Sequence, residues 1–264
     1  MNIREVLERY KQDKISAQEA EKVLKLDFLE RIGNHAVFDH AREARRGIPE
    51  IVLGSTKSPE SVADIVQHVL EDRGLVIVSR ATPLHHEAVR RSVGPRGVRW
   101  EEKACMVVVD RRKSTSKSGL VGILTAGTSD VRVAEEARIV AEAMGCGVIT
   151  AYDVGIAAFH RFMDPLSEML KKGCDALIVI AGMEGALPSV VSSLADVPVI
   201  GVPTSVGYGM GGEGVAALMS MLQTCSPGLT VVNVDNGVGA GATAALISNR
   251  CNAVRRKGAR GGRS

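Results

Sequence analysis

Polar residues in the second half of this 264-residue chain are concentrated in five short loops, each of which follows an apolar run. The loops carry glycines and hydroxyl side chains at predicted helix starts, where exposed backbone N–H groups can bind an anion. Arg161 can supply a planar positive group for a phosphate, and Tyr208 can stack on a ring. Together they predict a phosphorylated ligand that contains a ring. The loops are residues 125–130, 152–155, 181–185, 203–208 and 235–237.

Glu184 lies between Gly182 and Gly185 at a predicted helix start, and two interpretations of it are open. As an acid in the first helical turn, it would interact favourably with the helix dipole. As a general base, it would act inside a glycine-lined pocket. A lone histidine such as His160 is typically structural, but its neighbour Arg161 near the same rim favours a role in binding.

The five cysteines are odd in number and include no CxxC pair, which argues against a disulfide framework or a zinc site. Cys146 and Cys174 lie just before predicted strands, as packing residues do. Cys225 follows a predicted helix and precedes the last predicted strand, at the opposite edge of the sheet from the polar loops. A helix C-terminus also disfavours a thiolate. Cys225 is therefore either a structural thiol or a catalytic residue that another subunit supplies.

Short β-branched segments alternate with helical segments after residue 118. Strands are predicted at 119–124, 147–151, 175–180, 197–202 and 229–234. Helices are predicted at 129–144, 156–172, 185–195, 213–224 and 237–250. This alternation is typical of an α/β fold with a doubly wound parallel sheet, in which ligands bind beyond the carboxyl ends of the strands. Neither the GxGxxG dinucleotide fingerprint nor a P-loop motif occurs.

The first 118 residues are more highly charged and predict a smaller α/β domain behind two short helices. Ser16 and Glu19 have the spacing of a capping box, and Ser58 and Thr82, each followed by proline, are predicted helix starts. Strands are predicted at 50–54, 74–80 and 104–110. The predicted organisation is an N-terminal domain at 1–118 that ends in a polar linker at 113–118, a second domain at 119–250, and a basic flexible tail at 251–264.

The composition excludes several classes of function. A net charge of +3 and 3% aromatic residues argue against a nucleic-acid partner. No run of 18 uncharged apolar residues occurs, and the N-terminus lacks the apolar stretch of a signal peptide. We therefore expect a cytoplasmic protein with no membrane partner. Of the 28 glycines, 22 follow residue 118, in the half that carries the predicted ligand loops.

Several strings in the second half carry resemblances to known families. The second half of the chain resembles the carboxylase domain of purine biosynthesis that acts on aminoimidazole ribonucleotide, called PurE-like. The strings that carry this resemblance are GTSDVRVAEEA, HR, AGMEGALPSVV and VPVIGVPTS. The chain is more similar still to the LarB family, pyridinium-3,5-biscarboxylic acid mononucleotide synthase, in DVGIAAFHR, GMEGALPSVVSSLADVPVIGVPTSVGYG, TCSPG and VVNVDNGVGAG. The resemblance covers about residues 119–249, and the first half fits the LarB family in length and layout.

The resemblance implies a PurE-like catalytic domain with flavodoxin-like layering. It also implies carboxylation of nicotinic acid adenine dinucleotide at pyridinium C5 and hydrolysis of its phosphoanhydride to release AMP, which starts synthesis of the nickel-pincer cofactor of lactate racemase. The family cysteine that adds to ring C4 matches Cys225, and the base that removes the C5 proton matches Glu184. The residues expected to bind substrate are Thr125, Gly127, Thr128, Ser129, Asp130, Asp153, His160, Arg161, Gly182, Met183, Pro203, Thr204, Tyr208 and Asn236.

The resemblance further implies a homo-octamer with shared active sites, Mg²⁺ for the anhydride step, and carbon dioxide or bicarbonate as co-substrate. No tightly bound organic cofactor is expected. Asp130, Asp153 and Asp235 are candidate magnesium ligands by loop position, and no spacing chooses among them. Two alternatives stay open. One is a carboxylase or mutase of aminoimidazole ribonucleotide, which needs no thiol, and the other is a non-catalytic nucleotide-binding module.

Overall fold

The computed structural model describes residues 3–20, 29–32, 36–39, 47–112 and 119–261. The chain divides into two compact units, Met1–Arg99 with Val107–Arg111, and Trp100–Met106 with Arg112–Ser264. The predicted linker at 113–118, part of the second predicted N-terminal helix, and the last three residues of the predicted tail lie outside the described residues.

The first part of the chain contains a hairpin and a mixed sheet. After helix α1 (Ile3–Lys11), β1 (Leu29–Ile32) pairs antiparallel with β2 (Ala36–Asp39). A four-stranded sheet with the order β3-β4-β6-β5 follows. Its parallel pair is β3–β4, whereas β4 and β6 are antiparallel. The strands are β3 (Glu50–Leu53), β4 (Leu75–Ser79), β5 (Val98–Glu101) and β6 (Met106–Asp110).

Capping side chains begin the helices of this part where the sequence predicts. Helix α2 (Pro59–Asp72) starts after Ser58, whose Oγ accepts from the Ser61 N–H at 3.2 Å. Helix α3 (Pro83–Val93) starts after Thr82, in a capping box with His85. The capping box at Ser16 is also confirmed, because the Ser16 N–H donates to Glu19 Oε2 at 2.8 Å.

The second part of the chain forms a five-stranded parallel sheet with the order β11-β10-β9-β7-β8. β9 is buried along its whole length, as expected for a strand covered on both faces. The doubly wound parallel sheet predicted from the sequence is therefore confirmed. The strands are β7 (Leu120–Thr125), β8 (Gly147–Ala151), β9 (Ala176–Ala181), β10 (Val199–Pro203) and β11 (Leu229–Val231).

Helices cover both faces of this sheet with small and branched apolar side chains. α4 (Val131–Ala143) and α8 (Gly237–Gly261) bury Ala137 and Ala244 in a core with Ile178. On the other face, Phe162 and Met221 lie in a second core. The helices of that face are α5 (His160–Lys171), α6 (Ala186–Leu194) and α7 (Val215–Leu222).

Helix α8 continues to Gly261, whereas the sequence predicts flexible chain from residue 251. The buried carboxylate of Asp175 accounts for the difference, because it accepts from Ser248 Oγ at 2.6 Å and pairs with Arg255 at 2.7 Å. Composition alone does not reveal this distant partner for the basic segment. Across the portion of the chain that the structure describes, no helix has the length and apolar character needed to cross a bilayer.

Candidate active site

The order of the strands creates a crevice at the carboxyl ends of the strands in the parallel sheet. β7 has β8 on one side and β9 on the other, so the connections after β7 and β9 run in different directions. Such a switch point, beyond the carboxyl ends of the strands, is where doubly wound sheets bind ligands. An open cavity of ≈ 570 Å³ lies there, lined by the loops that follow β7, β8, β9 and β10.

The walls of the cavity are largely apolar. Ile156 and Ala157 line it from the loop after β8, and Leu187 lines it from the start of α6. Glu184 lines it directly after β9, and Tyr208 lines it from the loop after β10. A concave apolar site with a few placed polar groups is the usual form of a small-molecule site.

Glu184 is positioned by a tight turn between β9 and α6. Met183 has a positive φ of 49°, and its N–H donates to the Val206 carbonyl at 3.2 Å. Gly185, with φ of 62°, is the N-cap residue of α6. Glu184 therefore precedes the helix and does not lie in its first turn, so the interpretation of this residue as a first-turn acid is wrong. Its exposed carboxylate faces a cavity that can hold a reacting ring.

Glycines around the cavity serve two different purposes. A Cβ on Gly182 would lie 2.2 Å from the Val206 carbonyl oxygen, and one on Gly155 would lie 2.7 Å from the Ala126 carbonyl oxygen. These glycines let two loops pack backbone against backbone. A Cβ on Gly127 would meet its nearest atom, Asp130 Oδ2, at 3.6 Å, which is an ordinary contact. Gly127 alone of the three thus leaves room for a ligand beside the backbone.

We expect Gly182→Ala to lower the free energy of unfolding by about 1–3 kcal/mol, because an added methyl overpacks the contact with Val206. Gly127→Ala is the matched control and should change it by less than about 0.5 kcal/mol. Chemical denaturation of both variants provides the measurement. Equal stability of the two variants would contradict the packing role of Gly182.

Asp130 lines the cavity and joins two of its loops. It is 3% exposed, and its Oδ2 accepts from the Gly127 N–H at 2.9 Å while its Oδ1 accepts from Thr204 Oγ1 at 2.7 Å. Burial raises the pKa of Asp130 above its ordinary value, and the hydrogen bond from Thr204 works in the opposite direction. Asp130 therefore fixes the loops after β7 and β10 relative to each other.

Thr204→Val should raise the pKa of Asp130 further, because the lost hydrogen bond stabilises the ionised carboxylate. A raised pKa in the folded state favours folding below the unfolded pKa, and this contribution is lost as pH rises through the folded pKa. The variant should therefore lose about 1–3 kcal/mol of stability at neutral pH and less in acid. The free energy of unfolding, measured from acidic to neutral pH, tests the direction of this effect. Thr204→Ser, which keeps the hydroxyl, should behave like the native chain, and a pH-independent loss would refute the assignment.

Two family models together span most of the chain. Residues 120–260 match the AIR carboxylase model, and residues 29–112 match the LarB/PurE-like N-terminal domain. The chain belongs to the LarB branch of the AIR carboxylase family. These matches place this LarB-family chain among PurE-like carboxylases and mutases.

Individual relatives agree with this division into two parts. The chain is 41% identical over 251 residues to "Uncharacterized protein MJ0165" of Methanocaldococcus jannaschii, which covers 94% of this chain and 97% of the relative. It is 32% identical over 130 residues to an N5-carboxyaminoimidazole ribonucleotide mutase of the same organism, covering 49% of this chain and 76% of the relative. The mutase of Thermotoga maritima is 32% identical over 134 residues, covering 48% and 73%.

In the LarB-family chain, Cys225 lies apart from the cavity. It is a free, exposed thiol between the end of α7 and the start of β11, and it is not among the residues that line the cavity. Glu184 follows the carboxyl end of β9, so the two lie at opposite edges of the parallel sheet. Cys146 and Cys174 are buried, and burial raises the pKa of Cys174 to about 11, as fits a packing residue.

The other predicted binding residues fall into two groups. Those that line the cavity are Gly127, Ser129, Asp130, Gly182, Met183 and Tyr208. Those outside its lining are Thr125, Thr128, Asp153, His160, Arg161, Pro203, Thr204 and Asn236.

Most residues of the second group have identifiable structural partners. Arg161 pairs with Asp153 at 3.3 Å, and the Asp153 N–H donates to Thr125 Oγ1 at 3.1 Å. Asn236 Oδ1 accepts from the Gly239 N–H at 2.8 Å, within the first turn of α8. The first two contacts connect the end of β7, the loop after β8 and α5, whereas the contact of Asn236 is local to the start of α8.

Much of the apolar wall does not stand out in the amino-acid sequence. Ile156 and Ala157 fall in a segment predicted as regular helix, but they form a short 3₁₀ turn before α5 begins at His160. Leu187 looks like any core residue of α6. Gly155 just ahead of Ile156 is the signal that the chain turns there before the helix starts.

The described side chains do not form a cage of three or more ligands for magnesium. No group of three or more His, Cys, Asp or Glu that could hold a metal is present in the ranges that the structure covers. Both oxygens of Asp130 are engaged with Gly127 and Thr204, and Asp235 accepts two hydrogen bonds from Ser205. Asp153, the third candidate, pairs with Arg161 at 3.3 Å. The described residues therefore offer no preformed cage of three or more protein ligands for Mg²⁺, an ion that is usually held by one or two carboxylates together with substrate phosphates.

Proposed function

We propose that the chain carboxylates the pyridinium ring of nicotinic acid adenine dinucleotide at C5 and hydrolyses the phosphoanhydride to release AMP. The other product is pyridinium-3,5-biscarboxylic acid mononucleotide, the precursor of the nickel-pincer cofactor of lactate racemase. The observation that carries the proposal is Glu184, which presents a carboxylate to an apolar cavity at the switch point of a LarB-family sheet.

The reaction needs a nucleophile because a pyridinium ring is too electron-poor to attack carbon dioxide. In the proposal, the Cys225 thiolate adds to C4, which forms a C–S bond and converts the ring to a neutral dihydropyridine. The C5 carbon of this enamine then forms a bond to the carbon of CO₂, which becomes a carboxylate. The ring nitrogen regains its positive charge as an iminium.

Glu184 then removes the proton from C5, and the C5–H electron pair restores the enamine. The nitrogen lone pair expels the cysteine as thiolate, the C–S bond breaks and the aromatic pyridinium returns. Water finally cleaves the P–O–P linkage to give AMP and the mononucleotide. No oxidant or reductant is required, and one CO₂ and one water are consumed.

The separation of Cys225 from Glu184 supports an active site shared between copies of the chain. Next to Cys225, helix α7 exposes Val215, Met219 and Leu222, each by more than half of its surface. Their spacing puts them on one side of the helix, and exposed apolar stripes of this kind mark protein contacts. We propose that a second copy brings its own Cys225 to the cavity, in a homo-oligomer that the family resemblance suggests is an octamer.

Mixing two inactive variants tests this sharing. Neither Cys225→Ser nor Glu184→Gln alone should convert the substrate. When the two variants assemble together, some sites should contain both the native cysteine and the native glutamate. Random mixing should restore about a quarter of the native activity. Absence of any recovery in verified mixed oligomers would show that the two residues do not combine across subunits. Mixing Cys225→Ser with itself is the control.

Magnesium enters the proposal as an ion held by the diphosphate of the substrate and by water, because the described protein groups do not form a cage for it. Carbon dioxide, drawn from bicarbonate, is the co-substrate, and we propose no tightly bound organic cofactor. The chain's own contribution is to orient the ring against Glu184 and Cys225.

A second candidate function is that of an aminoimidazole ribonucleotide carboxylase or mutase. It is favoured by the two relatives at 32% identity that are named N5-carboxyaminoimidazole ribonucleotide mutases. Parallel assays with the dinucleotide and with N5-carboxyaminoimidazole ribonucleotide separate the candidates. Turnover of the second compound alone, with full activity in Cys225→Ser, would replace the proposed function. Binding without any turnover would favour a non-catalytic nucleotide-binding module.

A further inference from the structure

Acidic side chains line the cavity, and basic ones are absent from the lining that the structure describes. Asp130 and Glu184 are the acids among its lining residues, and no lysine, arginine or histidine belongs to the described lining. Arg161, which the sequence predicts as a phosphate-binding cation, lies outside the lining and is paired with Asp153 at 3.3 Å. A cavity with apolar walls and acidic groups attracts a cation, since charges interact more strongly where water is excluded.

Tyr208 adds an aromatic surface at the mouth of this cavity. It lines the cavity and is 82% exposed, so the faces of its ring are open to a ligand. Its loop is fixed at the base, because Asp235 accepts from the Ser205 N–H at 2.9 Å and from Ser205 Oγ at 2.6 Å. The electron-rich face of tyrosine binds a cationic group, and a flat cation also gains from stacking.

We propose that the cavity selects a flat, positively charged heteroaromatic ring, and that Tyr208 is the specificity-determining residue that recognises its charge. This rests on the proposed function, which supplies the pyridinium ring, and it adds the reason why that ring is distinguished from a neutral one.

The test compares two ligands that differ by one hydride and by the charge of the ring. They are nicotinic acid adenine dinucleotide and its 1,4-dihydro form, titrated by calorimetry without bicarbonate or magnesium. The protein is the Cys225→Ala variant of the full chain, so that thiolate addition cannot add to the affinity. We expect the charged ring to bind about 3- to 30-fold tighter than the neutral one.

Substitutions at Tyr208 then show whether this residue causes the preference for the charged ring. Tyr208→Phe keeps the aromatic face and should keep the ratio of the two affinities, whereas Tyr208→Leu should bring this ratio close to equality. Met210→Leu lies on the same loop, is fully exposed and is not part of the lining, so it should change nothing. Because Tyr208 is exposed, its substitutions should leave the fold intact, so a changed ratio of the two affinities reflects a change in ligand binding.

The outcomes separate this inference from the proposed function. An unchanged ratio in Tyr208→Leu, equal affinity of the two rings for the parent, or no binding of either ligand would overturn the role of Tyr208. Preserved charge selection by the Cys225→Ala protein, together with no carboxylation by the native chain, would leave the inference standing and refute the proposed function.

Discussion

Cys225→Ser should lower carboxylation of the dinucleotide by at least about 1000-fold, as expected when a covalent nucleophile is removed. A serine hydroxyl is a far weaker soft nucleophile than a thiolate, so the ring stays a pyridinium and its C5 does not attack carbon dioxide. Cys225 is exposed and outside both cores of the second unit, so the substitution should leave the free energy of unfolding unchanged. Turnover is measured as AMP and carboxylated mononucleotide released with time.

A second cysteine provides the matched control for this variant. Cys251 is a free thiol on helix α8, and Cys251→Ser should retain native turnover. Full activity of Cys225→Ser would remove the covalent mechanism and favour a reaction that needs no thiol. Equal losses in both variants would point to a general effect of cysteine replacement rather than to catalysis.

Glu184→Gln should lower turnover by about 100- to 10,000-fold, because the amide cannot accept the proton from C5. Glutamine has nearly the same shape, and residue 184 is exposed ahead of α6, so the fold should be unaffected. Thiolate addition precedes proton removal in the proposal. The variant should therefore still form the C4 adduct, which is visible as the absorbance of a dihydropyridine.

The adduct distinguishes the two variants from each other. It should appear with Glu184→Gln and be absent with Cys225→Ser, and Glu213→Gln, an exposed acid that does not line the cavity, should behave like the native chain. Absence of the absorbance from both variants would contradict the assigned order of steps.

Local sequence signals predict the scaffold well where burial decides the structure. β9 and its neighbours are β-branched and apolar, so their positions and the parallel sheet follow from the pattern. β5 is missed because its four residues, Val98–Glu101, mix charged and apolar side chains and do not stand out from a loop. The continuation of α8 is missed because it depends on Asp175, a partner far away in the sequence.

The sequence predicts where the candidate site lies but not how its residues are arranged. Position after a strand is sufficient to bring Glu184 and Tyr208 to one cavity. The position of a residue after a strand does not reveal which glycines are needed for packing, as Gly182 is. It also does not reveal that the two carboxylate oxygens of Asp130 accept hydrogen bonds from Gly127 and Thr204. Such roles depend on distances between loops, which strand order alone does not give.

The products formed from nicotinic acid adenine dinucleotide show whether the chain is a carboxylase and phosphoanhydride hydrolase. The native chain is incubated with nicotinic acid adenine dinucleotide, ¹³C-bicarbonate and magnesium, and the products are analysed by mass spectrometry. We expect AMP and a mononucleotide with one labelled carboxylate at ring C5, formed in equal amounts. AMP without incorporation of label, or no product from the native chain under these conditions, would contradict this proposal.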